Sequence, residues 1–94
     1  MSVRPEHIVD ISTIDASVRR IISEELGVEM PAIKSGTDII REFGADQSDM
    51  DTIKTAVEHR FYIKISDENW RRMGCVCDIV HLVDVYLEIK QIEM

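Results

Sequence analysis

The side chains able to do chemistry gather in two short stretches of this chain. One is Asp46-Gln47-Ser48-Asp49-Met50-Asp51, where a single hydroxyl stands among three carboxylates and an amide. The other is Cys75-x-Cys77, followed by His81. A serine hydroxyl can act as a nucleophile once it is activated. Paired thiols suggest half a metal site or a redox pair, but a structural zinc site takes four ligands. His59 and His81 stand at no metal-motif spacing from the thiols. The pair is therefore expected to be two reduced thiols near the start of a helix, one of them buried, with no metal bound. His81 has a base's chemistry but no nucleophile placed for it. His59 could alter partner charge near neutral pH, although simple exposure explains it as well, and His7 carries no signal. With no complete triad or ligand set, a small hydrolase or metal protein has no support.

The elements that hold these residues must come from one small domain. The chain has 94 residues, 45% of them hydrophobic and 31% charged, enough for a compact core and little more. The net charge of -7 argues against a nucleic-acid or anionic-membrane binder and suits partners with basic surfaces. No apolar run approaches the roughly 18 residues that span a bilayer, and the first residues show no signal-peptide core. A cytoplasmic protein without membrane insertion is expected, and two closely spaced cysteines fit a reducing compartment.

Hydrophobic periodicity reads as helix throughout. Residues 1–11 form a loosely ordered lead, and Ser12-Thr13-Ile14-Asp15 reads as a helix start. Ile14, Val18, Ile21, Ile22 and Leu26 then make one apolar stripe that Gly27 ends. Residues 28–45 form a long connection. Val28, Ile33, Ile39, Ile40 and Phe43 make it too apolar to hang free, and one helical turn is expected near Asp38–Glu42. Asp46 is a good N-cap for a second long helix, with Asp49 in its first turn and Met50, Ile53, Val57 and Phe61 as its buried stripe. Tyr62-Ile63-Lys64-Ile65 alternates like a strand but has no partner. Ser66 caps a short third helix running to about Met73, and Gly74 breaks it. Val76, Ile79, Val80, Val83 and Leu87 belong to a last helix of about four turns, whose β-branched residues need tertiary burial to hold them. The expected fold is all-α: a four-helix bundle spanning residues 12–90, with a tail at 91–94.

From Ser12 to about Glu88 the chain resembles an acyl carrier protein. Val18-Arg19-Arg20-Ile21-Ile22-Ser23-Glu24-Glu25-Leu26-Gly27-Val28 is similar to that family's first helix and its exit. Asp38 through Asp46 resembles the approach to the family's modified serine. Phe61, Ile63 and Ile65 resemble the end of the second long helix, and Val76-Cys77-Asp78 the start of the last. The resemblance implies a bundle with a long first loop and a short third helix, and no catalysis of its own. It also implies 4'-phosphopantetheine, attached from coenzyme A by a transferase to a serine at the head of the second long helix. Partners would be that transferase and biosynthetic enzymes acting on acyl thioesters in fatty acid, lipid or polyketide pathways, and a monomer is expected. A helix N-terminus suits the arm's phosphodiester.

Against the family pattern Gly-x-Asp-Ser-Leu this chain has Gly44-Ala45-Asp46-Gln47-Ser48. The stripe Met50, Ile53, Val57, Phe61 fixes the helix's rotation, and counting back puts Gln47 at the attachment position. A glutamine amide cannot attack the pyrophosphate of coenzyme A. Ser48 would present its hydroxyl about 100° further round the helix, with Asp49 where the pattern has leucine. The family's apolar docking positions fall on Ser48, Asp51 and Thr55, and its acidic run becomes Glu58-His59-Arg60. Trp70, beside Arg71 and Arg72, is either a partner anchor or a cover on the bundle edge, since a short helix should not bury it fully. Two readings stand: an interaction module without the arm, meeting its partner through Asp49, Asp51, Thr55, Glu58 and Trp70, or a carrier modified at Ser48 beside Asp46 and Gln47.

Overall fold

The structure, a computed structural model, describes residues 10–93, with side chains through Ile89. His7 and most of the lead expected at residues 1–11 lie outside the described residues. The described residues fold into five helices: α1 (Ile11–Leu26), α2 (Ile39–Phe43), α3 (Gln47–Phe61), α4 (Asp67–Arg71) and α5 (Val76–Glu93), with a 3-10 turn at Met30–Ala32. Among the described residues there is no strand, only an isolated antiparallel bridge between Asp38 and Cys75. The all-α bundle expected from periodicity is present.

α1 packs against α5 and α3. Its stripe Ile14, Val18 and Ile22 is fully buried, and so are Ile53 and Val57 of α3 and Val76, Ile79 and Val83 of α5. Each such side chain contributes about 1.5–3 kcal/mol of transfer free energy, so these positions hold the bundle together. The helix starts two residues earlier than the sequence suggested. Asp10, not Ser12, occupies the N-cap, and its side chain makes no capping bond. Gly27 ends α1 in the left-handed region at φ 68, its N–H donating to Ser23 O. At the other end, α5 is helical through Glu93, so residues 91–93, read as tail, continue the helix.

The long connection lies on the bundle as expected. Ile33 and Ile39 are fully buried, and Ala45 is buried beside them. Ile40, counted among the packed residues of this segment, is instead 48% exposed, because α2 is so short that only one side of it reaches the core. Arg19 pins the connection to α1 by donating from Nη1 to Ile33 O at 2.9 Å while pairing with Asp15 at 2.8 Å. Tyr62 caps α3 in the left-handed region at φ 57, which turns the chain so that Ile65 drops into the core.

Candidate functional site

The head of α3 is built by two short-range devices. Gly44 ends α2 at φ 70, a conformation suited to glycine, and reverses the chain within two residues. Asp46 then begins α3 through a reciprocal capping box. Asp49 N–H donates to Asp46 Oδ1 at 2.8 Å, and Asp46 N–H donates to Asp49 Oδ2 at 3.2 Å. Gln47 is thus the first helical residue and Ser48 the second, both exposed. Met50, Ile53, Val57 and Phe61 face the core as their spacing requires.

Gln47 borders an open polar groove of about 400 Å³, whose lining also includes Asp51, Lys54, Thr55, Asp67, Trp70 and Arg71. Gln47 also borders the neighbouring, more apolar hollow with Ile40, Met50 and Met73. Ser48 is among the lining residues of neither. The groove joins α3 to α4, and one ion pair holds its two sides. Lys54 Nζ lies 2.9 Å from Asp67 Oδ1 and 3.9 Å from Glu58 Oε2. The hydrogen bond from Lys54, and then its charge, hold the Asp67 carboxyl below its ordinary value. The same hydrogen bond and neighbouring carboxylates raise Lys54, against a partial desolvation.

The residues singled out from sequence separate into distinct places. Gln47, Asp51 and Thr55 come together on the exposed groove side of α3. The Asp49 carboxylate is occupied in capping. Glu58 turns inward: it accepts from Ile65 N–H at 2.8 Å and its side chain is only 17% exposed, so it does not extend an acidic surface. Trp70 is only 7% exposed, more deeply buried than expected of a residue on so short a helix, and it packs with the core rather than standing out as an anchor. Ser66 caps α4 through Asn69 N–H, and the Lys54–Asp67 pair links α4 to α3. The Trp70 Nε1 is buried without a hydrogen-bond partner among the described residues. Arg71, noted from sequence beside Trp70, also lines the groove; Lys54 and Asp67 were not singled out as site residues, because their relation depends on how α3 and α4 meet.

The two thiols are free, with Cys75 half-buried and Cys77 exposed, so neither is buried as expected. Hydrogen bonding to Cys77, followed by burial and the charge of Asp78, pushes the Cys75 thiol up to about 11. His59 and His81 are exposed. Among the described residues no helix is long and apolar enough to cross a membrane.

No family model matches the chain. Individual proteins do. An acyl carrier protein of Akkermansia muciniphila is 32% identical over 73 residues, 78% of this chain and 91% of that protein. One of Clostridium acetobutylicum is 31% identical over 71 residues, 76% of this chain and 92% of that protein. One of Campylobacter jejuni subsp. doylei is 28% identical over 74 residues, 79% of this chain and 95% of that protein.

Proposed function

This chain belongs to the acyl carrier protein family, and we propose that it works there as a non-enzymatic docking module without a phosphopantetheine arm. The observation that carries the reading is the position of Gln47. It follows the capping Asp46 directly, opens α3 and borders the groove. An arm at that position needs a side-chain oxygen able to form a phosphate ester, and an amide has none. Gln47 therefore does not fit the group. What remains is a rigid helix face with Gln47, Asp51 and Thr55 exposed beside the basic Arg71. Its mixed charge suits a partner with paired acidic and basic contacts rather than a purely basic one. The partner class is the enzymes that act on acyl thioesters in lipid or polyketide synthesis, and the module would meet them in the cytoplasm as a monomer.

A second reading rests on the exposure of Ser48 at the next position. There the arm would leave α3 about 100° further round the helix, away from the groove.

Incubation with coenzyme A and a broad-specificity phosphopantetheinyl transferase, followed by intact-mass measurement, separates the two. The module reading expects no gain in wild type and a gain of one arm in Gln47→Ser. A gain in wild type that disappears in Ser48→Ala establishes the carrier reading instead. Modification of wild type with an inert Gln47→Ser would show the register to be off by one residue.

A further inference from the structure

We propose that Cys75, Cys77 and Asp78 form a three-donor site for a thiophilic divalent cation of the zinc class, independent of the groove at α3. One sulfur from each cysteine and a carboxylate oxygen of Asp78 all lie within 4.8 Å of one another. Cys75 Sγ is 3.7 Å from Asp78 Oδ2. Zinc–sulfur and zinc–oxygen bonds at a tetrahedral angle put sulfur and oxygen roughly 3.5–3.7 Å apart. In the free protein a hydrogen bond from the Cys75 thiol to Asp78 sets that spacing, and the cation would take the proton's place. No histidine spacing in the sequence points to this site, because its third donor is an aspartate on the first turn of α5.

The donors are held by their surroundings. Gly74 N–H and Cys75 N–H both donate to Asp78 Oδ2, at 3.2 and 3.3 Å, and so fix the carboxylate. The backbone carrying the thiols is clasped to the long connection. Ile39 N–H donates to Gly74 O, Val76 N–H to Thr37 O and Cys77 N–H to Ser35 O. Little ordering is left to be done on binding. Cys77 is exposed and gives the cation its way in, while a water completes the fourth position. Two thiolates and a carboxylate select a borderline-soft cation over magnesium or calcium. On binding, each thiol loses its proton to solvent as its sulfur–metal bond forms.

The 94-residue chain, kept reduced, is equilibrated with equimolar Zn²⁺ or Cd²⁺ and passed through a desalting column. The expected result is one metal per chain, a cadmium–thiolate absorption in the ultraviolet, and a raised melting temperature. Cys77→Ser removes the band and the retained metal while keeping the helical circular dichroism, since Cys77 is exposed. Asp78→Asn, which can still accept the loop's hydrogen bonds, weakens retention roughly tenfold or more. Metal-free wild type after desalting, undiminished binding in Cys77→Ser, or a Cys75–Cys77 disulfide forming in the presence of metal would each overturn the site.

Discussion

Asp46 and Asp49 cap α3 reciprocally, each carboxylate accepting the other residue's backbone N–H. Two donors that a helix start leaves open are satisfied by side chains three residues apart. Asp46→Ala should therefore lower stability by about 0.5–2 kcal/mol. Asp49→Ala should cost less, and the double variant less than the sum, because the two bonds share one geometry. Urea denaturation of the four proteins measures this, and additive losses would mean the two bonds form independently.

The Lys54–Asp67 pair predicts a pH window. The Asp67 carboxyl is lower in the folded chain than its ordinary value of 3.8. Its contribution is thus present above that value and disappears as the pH falls through the lowered one. Lys54 is raised from 10.5, so its share is present below that value and is lost as the pH rises through the raised one. Melting curves of wild type and Asp67→Asn should differ most between these limits and converge in acid. Added salt should narrow the difference, since Asp67 is well exposed.

Trp70 combines deep burial with an unpaired indole N–H. Trp70→Ala should cost about 3–5 kcal/mol through the cavity it leaves. Trp70→Phe should cost far less, because it keeps most of the ring while removing the unpaired donor. A thermal melt of each variant decides this. A Trp70→Phe variant as unstable as Trp70→Ala would mean that the indole nitrogen is bonded after all.

Gly44 and Gly36 form a matched pair of controls. Space is open where a Cβ would stand at either glycine, but only Gly44 has positive φ, at 70. Gly44→Ala should lose about 1–2 kcal/mol to left-handed strain, whereas Gly36→Ala should be neutral or gain slightly. Equal effects in denaturant titration would remove backbone conformation as the cause.

The bundle was legible in the sequence where one residue type had one physical use. Met50, Ile53, Val57 and Phe61 repeat at helical spacing, and all four are buried. Asp46 and Ser66 cap helices as their chemistry suggests. Legibility failed where the outcome depended on a second segment. Ser12 looked like a cap, yet α1 begins at Ile11. Trp70 looked too large for its helix until α3 supplied a wall. Ile40 carries the composition of a core residue but sits on a helix too short to have two buried sides. Asp78 was legible as a residue at the start of the last helix, where its carboxylate reaches back to the Cys75 N–H, but not as a neighbour of both thiols. At the head of α3, Gln47 and Ser48 are the first two helical residues, ahead of the buried stripe that starts at Met50.

The clasp between residues 35–39 and 74–77 gives the protein one opening unit where the chain order suggests two. The start of α5 cannot fray while Ser35 and Thr37 still hold the amides of Cys77 and Val76. Those amides should exchange with deuterium in step with that of Ile39, and slowly, since all three open only when the long connection lifts from the core.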